Sequence, residues 1–413
     1  MLVLAALLPA LVALDVVIFD NGDINIVDQT MIDPDDDVFV VGGPPNMMDG
    51  TTVIFEDTAT MQSLTIQFRG NGRLFDSSRV LGDVTIESGG LLFFQNDSVV
   101  DGGVDVLAGG NALIGTSGSV ESVRVRAGGN LGLSNAVRVT GDLVVEGTAE
   151  ISGGVIEGTA TFRNTPGRLT VGAEFMGPVV VEGASALEIS SASFSSGLTQ
   201  RDTSNVRLRT GVSFTSTLTL EDASIAVLLL RSSNLGFGDV EGSSGVLIGT
   251  DADGQPVSLA FQRSPGTRLV LAEYSDQLGT SFCTQPVANT AGLFGRMSIG
   301  GTLDADAGLL VLRASDMPNF VFGYFALGTQ RASTPLGNSL VCVGGNVGRL
   351  NGPGQVLNSM TTGAFELSLS FDALPGVPST VPMAGDTYVF QVWHRAHSLA
   401  TSNFTDAVEL TFE

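Results

Sequence analysis

Apolar and polar residues alternate in short bursts along the chain as far as about Leu230. V-D-V-L-A-G-G-N (Val104 to Asn111) is followed by V-R-V-R-A-G-G-N (Val123 to Asn130). The same strand start, apolar-x-apolar-x, occurs at near-constant spacing at Leu64, Val84, Val104, Val123, Leu143, Ala160, Val179, Leu198 and Leu218. A period of two within each burst predicts a strand with one buried face. The longer period predicts a repeat architecture in which neighbouring units bury each other's faces. Each period holds two further apolar pieces, such as Leu91 to Phe94 with Ser98 to Val100, or Leu131 to Leu133 with Val137 to Val139. Three short strands joined by Gly- and Asn-rich corners describe one coil of a three-sided parallel β-helix. Strand twist and crossover handedness favour the right-handed form. No six-residue period supports a left-handed hexapeptide helix.

Within this frame the residue after each inward pair is informative. In coil order it reads Gln67, Glu87, Leu107, Arg126, Glu146, Arg163, Glu182, Arg201, Glu221, and the last six alternate in sign. In an in-register parallel stack these side chains lie about 4.8 Å apart. The expectation is a structural ladder, with each Arg between two carboxylates and slipped registers penalised by like charges. A charged strip that binds polysaccharide is the functional alternative. Asn71, Asn111, Asn130 and Asn205 predict a partial corner ladder, since Asn tolerates left-handed geometry and can bond the next coil. Gln200 occupies an inward position. Its amide must find a buried partner, or its coil must shift register.

Residues 14–63 are strand-rich but irregular and suit an N-terminal cap with early coils; the β-helix is expected over 64–278. From 279 to 413 the pattern changes to longer alternating strands, such as RMSIGGTL, LLVLRAS, FELSLSF and TYVFQVW. These predict an antiparallel β-sandwich-like C-terminal domain, so the chain as a whole is expected to be all-β. The 53 glycines suit this fold class, and the formal charge is −24. All the basic residues are Arg, and the chain has no Lys. That balance opposes a nucleic-acid partner and excludes a Walker-type phosphate loop or a lysine Schiff base.

The N-terminal segment MLVLAALLPALVA (Met1 to Ala13) has the length of a secretory h-region and is too short to span a bilayer. It is expected to be a signal peptide, truncated of its basic n-region, with a buried first strand as the alternative. Cys283 and Cys342 are the two cysteines. In an exported chain such a pair suggests one disulfide, two buried thiols being the alternative.

Phe282-Cys283, NSLVCVGGNVGRLNGPGQVLNS (Asn338 to Ser359), GDTYVFQVWHRA (Gly385 to Ala396) and TSNFTDAVELTF (Thr401 to Phe412) carry a resemblance. Together they resemble a C-terminal module of exported and surface proteins of certain bacteria, where it follows variable repeat or propeller regions. The resemblance covers about residues 282–413. It implies export, a β-rich fold and pairing of Cys283 with Cys342, and it implies no catalytic residue. Ala396 stands where such modules often carry an acid. The repeats resemble adhesin-like and polysaccharide-active β-helices in architecture only.

Candidates for chemistry are few. His394 and His397 are three apart and would face opposite sides of a strand, so they do not make a shared zinc site. No G-x-S-x-G elbow is present. Asp33, Asp35, Asp36 and Asp37 offer oxygen ligands for Ca²⁺, against the ordinary outcome of a solvated acidic loop. No cofactor and no catalytic residue is expected. The sequence therefore predicts a secreted or cell-surface bacterial protein that is non-enzymatic and adhesin-like. Its expected partners are surface polysaccharide or other cell-envelope components, without nucleic acid and without a membrane span. The alternative is a polysaccharide-degrading lyase or hydrolase built on the same fold.

Overall fold

The computed structural model describes residues 16–19, 24–27, 32, 34–41, 51–56, 58–115, 117–169, 173–305, 307–337, 339–352, 355–370, 374–375, 381–395 and 402–413. The expected signal peptide, residues 1–13, lies outside them. Every regular element among the described residues is a strand. No helix there is long and apolar enough to cross a membrane. Two compact units are present. One holds residues up to Ala226 with Glu241–Ile248 and Val257–Leu269; the other holds Val227–Val240, Gly249–Pro256 and Val270–Glu413.

The first unit is a parallel β-solenoid. All the strand starts from Leu64 to Leu218 stand opposite one another in successive coils, with no slip. The same row extends upstream to Val38 and Val17 and downstream to Phe261. A second face aligns Asn71, Leu91, Asn111, Asn130 and Thr148. A third aligns Arg79, Val99, Ser119 and Arg138. Strands Ile24–Val27 and Thr52–Phe55, within the irregular early segment, pair in parallel like the rest.

Period-two alternation places Leu64, Ile66, Val84, Ile86, Val123 and Val125 in the interior, essentially without exposure. Each such burial contributes about 1.5–3 kcal/mol before chain entropy is subtracted. Phe175, Phe194 and Phe214 stack through three coils with ring centroids 5.3 and 4.9 Å apart. Gln200 keeps its register between Val181 and Leu220. Its amide is fully buried, and neither amide atom has a hydrogen-bond partner among the described residues. Of the two outcomes open for Gln200, the coil has therefore kept register at the cost of an unpaired amide.

The corner after the first face takes two forms. In the early coils the left-handed residue stands five after the strand start, at Arg69, Gly89, Gly109 and Gly128. The next position is Gly70, Gly90, Gly110 or Gly129. A β-carbon at Gly90 or Gly110 would lie 2.6 Å from the carbonyl oxygen of Ile66 or Ile86, so side chains are sterically excluded there. From the coil of Ala160 onward the left-handed residue moves one place earlier, to Asn164, Gly183, Asp202 and Asp222. Buried hydroxyls now occupy the inner corner at Thr165, Ser185, Ser204 and Ser224. Thr165 Oγ1 donates to the carbonyl of Val145 (2.9 Å), and Ser185 Oγ donates to that of Phe162 (3.1 Å). The side chains of Asn164, Asp202 and Asp222 accept backbone N–H groups of Ala184 (2.9 Å), Gly183 (2.8 Å) and Asp202 (3.1 Å). They thereby tie one coil to the next.

The second unit contains antiparallel sheets. Arg296–Gly301, Leu309–Ser315 and Phe365–Ser370 form one. A larger sheet runs Thr280–Phe282, Ser402–Thr411, Thr387–Arg395, Phe322–Gly328, Gly348–Leu350, with Leu357–Asn358 also on Phe322–Gly328. Ile299, Leu310 and Leu312 of the first share one apolar core with Phe325, Phe390, Val392 and Leu410 of the second. A hairpin pairs Gln330–Leu336 with Ser339–Gly344. Cys283 and Cys342 form a disulfide with α-carbons 6.3 Å apart. Beside it two buried glutamines act as a clamp. The Nε2 groups of Gln285 and Gln391 both donate to the carbonyls of Leu340 and Thr405 at 2.8–3.0 Å. Their Oε1 atoms accept from the backbone of Leu340 and Cys342, each at 2.8 Å.

Candidate functional site

The charged rank on the first face is the feature that the sequence singles out. Arg163 Nη1 meets Glu146 Oε1 at 3.3 Å, and Arg163 Nε bonds Glu182 on the following coil. Arg201 Nε donates to the other oxygen of Glu182 at 2.6 Å. Glu146, Arg163, Glu182 and Arg201 thus form one continuous chain across four coils. Glu182 is its centre, with a side chain only 6% exposed while both arginines are about half exposed. Burial opposes ionisation of Glu182 most strongly. Hydrogen bonds and charge from Arg201 and Arg163 outweigh it, and the carboxyl is held below the ordinary carboxylate range.

The two ends of the rank behave differently. Arg126 forms a bidentate pair with Asp105, at 2.8 and 3.0 Å, and feels Glu146 through charge alone. The residue before Arg126 in the rank is Leu107, so the guanidinium turns to the nearest carboxylate on the preceding strand. Glu221 likewise acts on Arg201 through charge without a hydrogen bond between them. In the corner rank, Asn130 Nδ2 donates to Asn111 Oδ1 at 3.0 Å, and Thr148 Oγ1 donates to Asn130. Asn71 is separated from Asn111 by Leu91.

A second alternating rank escaped the sequence reading. Glu150, Arg168, Glu188 and Arg207 stand opposite one another on the second face. Their spacing, close to that of the strand starts, was the available signal. Further pairs close other positions: Arg79 with Asp101 at 2.6 Å, Arg138 with Glu157, and Arg209 with Glu188.

Of the acidic loop, Asp33 lies outside the described residues. Asp35 is exposed, and Asp37 accepts a hydrogen bond from Ser63 at 2.6 Å. Among the described residues no group of three or more His, Cys, Asp or Glu side chains is placed to hold a metal ion. His394 is buried; its Nδ1 faces the carbonyl of Arg395 at 3.2 Å. Its Nε2 has no partner among the described residues, and burial pushes the imidazole below the ordinary histidine range. His397 lies outside the described residues.

The solenoid also carries a shallow groove of about 400 Å³ on its second face. Its lining includes Gly115 and Gly132, the apolar Phe93 and Leu113, and the polar Gln95, Ser134, Glu150 and Ser152. The outward row reads Phe93, Leu113, Gly132, Glu150 in register, and the Leu113 side chain leans over Gly132, where an added β-carbon would lie 2.8 Å from its Cδ2. The Arg73 guanidinium lies 5.2 Å from the centroid of the Phe93 ring. No family model and no curated protein matches this chain, so the resemblance of residues 282–413 to surface modules gains no support from those comparisons.

Proposed function

We propose that this protein is an exported, non-enzymatic surface or matrix module whose β-solenoid displays binding surface, a form suited to adhesion. The carrying observation is the state of the carboxylates on the long first face. Glu146 and Glu182 are engaged by Arg163 and Arg201, and Asp105 by Arg126, so these acids serve inter-coil cohesion rather than a reacting centre. A polysaccharide hydrolase or lyase needs convergent acids free to move protons. The Cys283–Cys342 bond supports an oxidising destination, because disulfides persist mainly outside the cytosol. A fold alone does not decide function, so the test must be direct. Native cells are fractionated and surface-digested with protease, and the purified chain is incubated with uronate-containing and neutral polysaccharides. Surface exposure without release of unsaturated uronates or reducing ends is expected. A cytosolic protein overturns the export reading, and turnover of any polymer establishes the degradative alternative.

A further inference from the structure

We propose that the groove over Gly115 and Gly132 binds a pyranose ring of a neutral glycan. The inference rests on reading the solenoid as a binding module and names the ligand class that it would take. Three observations point to a sugar. The apolar lining pairs a partly exposed Phe93, whose ring also carries the Arg73 guanidinium, with exposed Leu113, a surface against which the C–H face of a pyranose can lie. The polar lining is a set of hydroxyl, amide and carboxylate groups, matching the donors and acceptors on a sugar's edge. The side chain of Gln95 is exposed and makes no hydrogen bond to another described residue, so it is available to a ligand.

Other occupants fit less well. An extended peptide would add to an open strand edge, yet Asn111–Ile114 is paired on both sides, and its backbone groups are used within the ladder. An anionic sugar would meet Glu150, while the neighbouring Arg73 guanidinium is engaged over the Phe93 ring, on a protein of net charge −24. Phe93 and Gly132 are two coils apart, about 10 Å, the span of about two linked rings, with Leu113 between them.

The test uses the intact chain, titrated calorimetrically with cello-, xylo- and malto-oligosaccharides and with oligogalacturonate. At least one neutral oligosaccharide is expected to bind with a sub-millimolar dissociation constant, at least about tenfold more tightly than oligogalacturonate. Phe93→Ala is expected to abolish measurable binding. Gln95→Ala, at an exposed position whose loss leaves the ladder intact, is expected to weaken it about fivefold, the loss of one hydrogen bond. Unchanged circular dichroism in the Gln95 variant shows that the fold survives. The site is overturned if no neutral oligosaccharide binds, if oligogalacturonate binds more tightly, or if Gln95→Ala binds like the parent. Binding accompanied by release of new reducing ends would keep the site and overturn the non-enzymatic reading. Surface exposure on cells with no sugar binding would overturn the site alone.

Discussion

At the scale of single residues, Glu182 and Gln200 are two buried polar groups with opposite histories. Glu182 is met by a guanidinium from each neighbouring coil; Gln200, on the next coil, is met by none. Burial penalises both, and the partners decide the outcome. Arg163→Glu should place three carboxylates in consecutive positions and remove both of its bridges. It should lower Tm by several degrees, and the deficit should shrink as salt is raised, because screening weakens like-charge repulsion. Thermal melts at low and high salt check this, and an unchanged Tm would show that the rank contributes nothing to cohesion. Gln200→Leu should act the other way. It removes an unpaired amide from a column flanked by Val181 and Leu220, and stability should rise by about 1–2 kcal/mol. Urea denaturation measures it; a loss of stability would mean that the amide is satisfied.

At the scale of the element, the coil was legible because two periods coincide. Period-two alternation selects the inward side chains, and the longer repeat aligns them, so every strand start from Leu64 to Leu218 could be placed. The alternating signs of Glu146, Arg163, Glu182 and Arg201 were equally visible. The choice of Asp105 by Arg126 was not, since it depends on which neighbouring carboxylate is nearer once Leu107 fills the rank. The one-residue change in corner geometry was also hidden. It coincides with the short step between Leu143 and Ala160, but only backbone conformation distinguishes a left-handed Gly109 from a left-handed Asp202. The groove was invisible because its lining is drawn from four successive coils. A consequence of the two corners is that a glycine cannot be exchanged freely for the residue aligned with it. Gly110→Ala should cost about 1–3 kcal/mol, because its β-carbon would press on the Ile86 carbonyl oxygen. Ser204→Ala, at the equivalent place in the later corner, should be nearly neutral, since Ser204 Oγ is buried without a partner among the described residues. Chemical denaturation of both variants compares the corners, and equal losses would contradict the distinction.

At the scale of the whole molecule, the two units should respond to acid in different pH windows. In the solenoid the relevant group is Glu182, whose carboxyl is held low by Arg201 and Arg163 against the cost of burial. A depressed carboxylate stabilises the fold above its unfolded pKa, about 4.3, and that contribution is lost as pH falls through the folded value. In the second unit the relevant group is His394, kept neutral by burial. Its unfolded form takes up a proton below about pH 6.5 while the folded form resists, so stability falls as pH drops through that value. Asp406 has the opposite sign: burial raises its carboxyl, so the folded form takes up a proton before the unfolded chain does. The chain's single tryptophan, Trp393, reports this unit, since it adjoins His394 and stacks on Tyr324 with ring centroids 4.9 Å apart. Tryptophan fluorescence should therefore show a lower unfolding midpoint at about pH 5.5 than at about pH 7.5. The far-ultraviolet transition dominated by the solenoid should hold until about pH 4. His394→Gln should flatten the fluorescence response between those two pH values while leaving the solenoid transition in place. A fluorescence midpoint that does not move over that interval, or one that moves equally in the His394 variant, would exclude His394 as the acid-sensitive group of the C-terminal unit.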